Sequence, residues 1–235
     1  MPDDGLEPDA PTPRRQAITR QLVIDKALEV VDEFGVEGLT MRRLGSALGA
    51  DPMAAYQHVR NKAELVDAIV EHVAAEVARL PPVDAAGDPL EQLVALAVHY
   101  RTVLLRHPIL APLVASRPLP QAGAPELLVV SVDILRAIGF EDEDVPFALD
   151  ALVTFGYGFV LQEAGRIRNR DAFGVPYREQ QADVLRRLAE LPGDTELAQA
   201  VVVQRLAEDS SARHFEVGIR ALLHGLRSGL GRRPT

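Results

Sequence analysis

At 235 residues the chain is long enough for one large or two small domains with a sizeable core, and its 47% hydrophobic content excludes a largely disordered polypeptide. The absence of cysteine excludes disulfides and thiolate-held metals. The 25 Lys and Arg against 34 Asp and Glu leave a net charge of −9, which argues against a surface that coats polyanions indiscriminately. No apolar run reads as long enough to span a bilayer, and no secretory apolar segment is seen near Met1, so a soluble cytoplasmic protein with no membrane partner is expected. Much Ala, Leu, Val and Arg with little Lys fits a GC-rich bacterial genome.

Residues 1–17 are expected to form a disordered arm, because the Pro-, Asp- and Gly-rich stretch from Met1 to Pro13 has no periodicity. Arg14 and Arg15 close it, either as minor-groove cations or as two solvated arginines before a helix. Thr19 caps a first helix to about Phe34, with Ile24, Leu28, Val31 and Phe34 as its buried stripe and Gly35 as its stop. Thr40 caps a second, whose apolar face is Met41, Leu44, Ala47 and Leu48 and whose end is Gly49. Asp51-Pro52 opens a third, with Met53, Tyr56 and Val59 as its stripe. Asn61 and Glu64 resemble a capping box for a long helix to Leu80, carrying Leu65, Ile69, Val73 and Val77 on one side. Pro81-Pro82 ends that helix and divides a first domain, 18–80 with a two-helix motif at about 40–59, from a second domain over 83–230.

The second domain opens at Asp88-Pro89-Leu90-Glu91 with a helix to His107, followed by a short apolar segment from Ile109 to Val114. A loop is expected from Arg117 to Ala124, then a helix from Pro125 to Ile138 closed by Gly139. Asp142 to Arg168 reads as a long, very apolar helix, Asn169 to Pro176 as a loop, and the stretch to Leu191 as a more charged helix. After the Pro192-Gly193-Asp194 turn come a short helix and a last one from Ser211 to Ser228. No alternating strand pattern occurs, so the expected fold is all-α: a three-helix N-terminal head with a helix-turn-helix, and a helical C-terminal domain.

The stretch from Leu39 to Lys62 joins two short helices through a glycine turn. The outer surface of the second helix is small at Ala54 and Ala55 and polar without charge at Gln57 and His58. Arg42, Arg43, Arg60 and Lys62 surround it, and Asp51 is the only acid within the stretch. Cations at the edge neutralise phosphates, and neutral groups in the centre meet base edges, so this surface suits duplex DNA. Gln57 is the best placed to pair with adenine and Arg42 with guanine, while His58 is expected to bond locally.

The same residues, LTMRRLGSALGADPMAAYQHVRNKAELVDAI over 39–69, resemble the DNA-binding region of the tetracycline-repressor (TetR) family of bacterial regulators. The shared pattern falls on Leu39-Thr40, Leu48-Gly49, Tyr56, His58, Val59, Lys62 and Leu65. FEVGIRALLHGL, from Phe215 to Leu226, is similar to the last helix of the tetracycline repressors themselves. The resemblance implies DNA contacts at Thr40, Arg42, Arg43, Pro52, Met53, Ala54, Tyr56, Gln57, His58 and Lys62, with Tyr56 and Lys62 on phosphates. Ala54 stands near the family's Thr or Ser, so the operator is expected to differ from the tetracycline operator. The resemblance also implies a homodimer held by a four-helix interface of Asp142–Arg168 and Ser211–Ser228; the helix from Asn61 to Leu80, which belongs to both domains, is the natural lever between them.

His99, Tyr100, Phe155, Tyr157 and Phe159 combine aromatic surface with polar groups and are candidates for a pocket taking a small hydrophobic or amphipathic effector; the alternative is ordinary core. The Asn, Gln and His that hold tetracycline and magnesium in that subgroup fall on Ala95, Val129 and Leu113, so that ligand is not expected. His72, His99, His107, His214 and His224 lack metal spacing, and no cofactor is expected beyond the unidentified effector. Nucleophile elbow, P-loop, dinucleotide fingerprint and HExxH are all missing, so no enzyme is expected. A repressor of a palindromic operator is the leading reading. A helical ligand-binding or scaffold protein that does not use its motif, and an activator of the same fold, remain alternatives.

Overall fold

The computed structural model describes residues 17–79, 87–115, 124–173, 176–193, 195–206 and 211–230. Among them are helices and turns and no strand. The helices are α1 (Arg20–Gly38), α2 (Met41–Leu48), α3 (Pro52–Ala55), α4 (Lys62–Ala78), α5 (Pro89–Arg106), α6 (Ala111–Ala115), α7 (Ala124–Ile138), α8 (Val145–Phe173), α9 (Pro176–Ala189), α10 (Thr195–Leu206) and α11 (Ser211–Leu230). Arg14, Arg15 and the rest of the expected arm through residue 16 lie outside the described residues, as do Leu80, Pro81-Pro82 and the loop residues 116–123.

Local chemistry starts the head's helices where the residues place them. The Thr19 hydroxyl accepts from the Leu22 N–H, Thr40 from Arg43 N–H, Asp51 from Met53 N–H and Asn61 from Glu64 N–H. The Asn61 box closes one residue early, because the Glu64 carboxylate accepts from the Arg60 N–H at 2.9 Å. Gly35, at φ 75 and ψ 169, breaks the helical path inside α1. Phe34, the last residue of the expected stripe, is 46% exposed, and the Arg43 guanidinium covers its ring.

The third helix is shorter than its sequence pattern. Beyond Ala55 the N–H groups of Tyr56, Gln57 and His58 reach carbonyls three residues back, a tighter winding than the α-helix. The expected stripe is also rotated. Val59 is buried, but Met53 and Tyr56 point outward at 65% and 43% exposure, and Ala55 is buried in their place. The Asp51-Pro52 start sets the phase so that positions 55 and 59, four apart, share the inward side.

In α8 the helix runs on to Phe173, through most of the stretch expected to be a loop. Residues 169–173 contain neither glycine nor proline, so nothing local stops the propagating helix before Gly174. Val145–Arg168 is long and apolar enough to cross a membrane by length and composition alone, which corrects the expectation that no run is. Here it buries Ala148, Leu152, Val160 and Ala164 against the other helices.

Two apolar cores result. One joins α1 to α4 with Val103, Leu104, Leu110, Ala111 and Val114 around the end of α5, and with Val160 and Ala164 of α8. The other joins α5, α7, α8 and α11 around Leu135, Phe215, Ile219 and Leu223. The head therefore shares its core with the C-terminal helices. Polar contacts reinforce the seam: His107 Nδ1 lies 2.8 Å from the Asp32 carboxylate of α1, and Arg106 pairs with Glu76 of α4.

Candidate nucleic-acid interface

The geometry of the head follows from one close approach. Gly45 is buried in α2 against Pro52 at the start of α3, where a β-carbon would lie 2.9 Å from the proline backbone. Gly49 turns the chain between them at φ 62. With Ala55 and Val59 held inward, Gln57, Met53 and Tyr56 are left exposed, and Pro52, Ala54 and His58 are half-buried at the border. Arg42 is exposed on α2. The Thr40 hydroxyl accepts from Arg43 N–H and keeps its own hydrogen to donate to an approaching anion.

Two of the surrounding cations are held by the turn that follows Gly35. Arg43 donates to Gly38 O at 2.8 Å with its guanidinium 4.4 Å from the Phe34 ring centre, and Lys62 Nζ donates to Glu37 O at 3.4 Å. Among the described residues neither has a carboxylate within ion-pair distance. Lys62 is the first residue of α4, so its ammonium adds to the partial positive charge of a helix N-terminus.

The five candidate effector residues do not meet in one place. Tyr100 packs edge-on to Tyr157 at 5.4 Å, against the core shared with the head. Phe155 and Phe159 pack with Phe215 in the other core, at centroid separations of 5.1–5.9 Å. Gly218 of α11 lets Phe155 in, since a β-carbon there would lie 2.3 Å from the ring. His99 reaches α4 instead, with Nε2 3.4 Å from Glu76 O. The Tyr100 hydroxyl is buried without a hydrogen-bond partner among the described residues. Its burial, and after that the neighbouring Tyr157, push its ionisation well above the usual phenol range.

Arg101 and Glu163 were not singled out from the sequence. Their side chains are 13% and 12% exposed, and Arg101 Nε donates to Glu163 Oε2 at 2.8 Å beside the Phe215 ring. The available signal was a lone charge in each of two otherwise apolar helical runs, with opposite signs. Of the positions aligned with the tetracycline-holding residues, Ala95 and Val129 are exposed, and Leu113 is half-buried against the core.

Comparison with known proteins places this architecture. The family model for bacterial regulatory proteins of the tetR family matches residues 23–69, and that for tetracyclin repressor-like C-terminal domains matches residues 81–230. The chain is 29% identical over 233 residues to an HTH-type transcriptional regulator of Saccharopolyspora erythraea, covering 96% of this chain and 92% of that one. It is 35% identical over 144 residues to the class A tetracycline repressor from transposon 1721 of Escherichia coli, covering 60% of this chain and 65% of the repressor. Among solved structures, ActR of Streptomyces coelicolor in complex with actinorhodin aligns at a TM-score of 0.68 and 27% identity, covering 90% of this chain and 96% of that one.

Proposed function

The chain belongs to the TetR family of bacterial regulatory proteins, and from that premise we propose that it is a homodimeric repressor, released from a palindromic operator by a small amphipathic effector. The observation that carries this reading is the outward edge of the helix-turn-helix. Buried Ala55 and Val59 leave Gln57 and Met53 exposed near Arg42, a mixture of hydrogen-bonding, apolar and cationic groups that can read base edges. Tyr56, Thr40 and Lys62 supply phosphate contacts that set register and orientation. Binding and release at equilibrium account for the action without a catalytic step, and the protein works in the cytoplasm, where the DNA is.

Dimerisation is supported by what α8 and α11 leave uncovered. Phe147, Val153 and Leu161 of α8 and Val217 of α11 are exposed apolar residues at 63%, 43%, 37% and 56%. For a dimer formed on this face to read two half-sites, its heads must sit about 34–36 Å apart, one turn of duplex. Release is then linkage: an effector that prefers the dimer with its heads misplaced weakens DNA binding by that preference. The contacts of His99 and Arg106 on α5 with Glu76 on α4 give the movement a route. The effector is not tetracycline with magnesium, because apolar residues stand at all three aligned ligand positions. The similar ActR is solved in complex with actinorhodin, and an aromatic or amphipathic effector is the class proposed here.

Selection of duplexes from a random pool with the full-length protein tests the proposal. The expected product is an inverted repeat with half-sites one turn apart, bound more weakly as salt rises. Failure to enrich any sequence, or enrichment of a single unsymmetrical site, would overturn it.

A further inference from the structure

Arg43 belongs to the motif, yet its guanidinium turns back onto the end of α1. It lies 4.4 Å from the centre of the Phe34 ring and donates to Gly38 O at 2.8 Å. Gly38 makes this approach possible, since a β-carbon there would lie 3.2 Å from the arginine's terminal nitrogen and 2.5 Å from Phe34 Cβ. Phe34 itself is 46% exposed, a large apolar face with this cation as its cover. Gly35 has already broken the helical path, so backbone bonding no longer fixes the end of α1 relative to α2. The cap bond from Leu39 N–H to Val36 O lies on the α1 side of the junction, Arg43 of α2 bonds across it to Gly38 O, and Lys62 ties the same turn to α4.

We infer that Arg43 is a positioning residue for operator reading: it clamps α2 onto the broken end of α1 through Phe34 and Gly38, and so sets the angle at which Arg42 and α3 meet the groove. The inference rests on the DNA-reading function proposed above. A clamp uses the flat, forked guanidinium, which stacks on a ring while it donates in its own plane; an ammonium, a compact charge on a flexible stem, fixes that geometry far less tightly. A phosphate contact needs only the charge.

The two roles separate in the salt dependence. Binding of the full-length protein to its selected operator and to a scrambled duplex is measured over a range of salt, with thermal unfolding followed in parallel. For a clamp, Arg43→Lys and Phe34→Leu each weaken operator binding about tenfold, and the double variant is no weaker than either single one. Scrambled binding and the salt slope stay unchanged, and the operator-to-scrambled ratio falls in protein that remains folded. Loss of folding stability alone would not move that ratio. The inference is overturned if Arg43→Lys binds as the parent does while Arg43→Gln weakens both duplexes alike and reduces the slope by about 0.9. It is equally overturned if either variant lowers the unfolding midpoint with the ratio intact. If the parent protein shows no salt-dependent operator binding, the reading function fails instead of the clamp.

Discussion

Gln57 carries a donor and an acceptor side by side on one planar group, and Ala55 beneath it is what turns that group outward. Arg42 stands on the neighbouring helix with its guanidinium exposed, while Lys62 sits at a helix start as a compact charge. These placements predict different failures. Gln57→Ala and Arg42→Ala should each relax sequence preference at one base position by about 1–3 kcal/mol, whereas Lys62→Ala should weaken every duplex alike and flatten the salt slope. Fluorescence anisotropy on operator and scrambled duplexes distinguishes the two, and unchanged affinity in all three variants would remove the docking arrangement. The chemistry of these residues was legible in the sequence. The outward direction of Met53 and Tyr56 was not, because an apolar residue beside a turn reads as core until the phase of a one-turn helix is known.

At the level of elements, the caps at Thr19, Thr40, Asp51, Asp88 and Asn61 sit where the sequence places them, since each depends on a side chain and the N–H two or three residues later. The motif depends as much on a crossing that no local pattern encodes. Gly45→Ala must push the backbone of Pro52 away from α2, so it should destabilise the head by about 1–3 kcal/mol and reduce operator affinity in whatever protein remains folded. Paired measurements of thermal unfolding and operator binding check this; a variant with both parent values would mean that the two helices are not as close as 2.9 Å implies. The extension of α8 to Phe173 is the opposite case, in which polar residues read as a loop although nothing in them ends a helix.

At the scale of the molecule, the exposed faces of α8 and α11 predict the assembly. Phe147→Asp places a charge where the proposed dimer buries an aromatic ring, worth about 1.5–3 kcal/mol per copy in apolar transfer alone. The variant should run as a monomer by light scattering and lose operator affinity while keeping its helical content; a dimer of unchanged affinity would exclude this face. The pair between Arg101 and Glu163 predicts a non-additive result inside the fold. Arg101→Met alone leaves a nearly buried carboxylate without its partner and should cost about 3 kcal/mol, whereas the double change with Glu163→Leu should return most of that stability. Denaturant unfolding of both variants measures it, and equal losses would show that the pair has no mutual dependence.

What the amino-acid order determined by itself was everything governed by short range. It set the all-helical class, the capped starts of the head's helices, the apolar stripe of α4 and that of α1 as far as Val31, and the cationic border of the motif. Helix periodicity and capping act over three or four residues, so the chain carries them wherever it goes. Only the tertiary structure decided which aromatic residues meet. It sent Tyr100 to one core, with Tyr157 edge-on to it, and Phe155 and Phe159 to the other, drew Arg43 back onto Phe34, and joined Asp32 to His107 across 75 residues. Those outcomes depend on how helices cross, and a crossing is set by the packing of several elements at once rather than by any one stretch of chain.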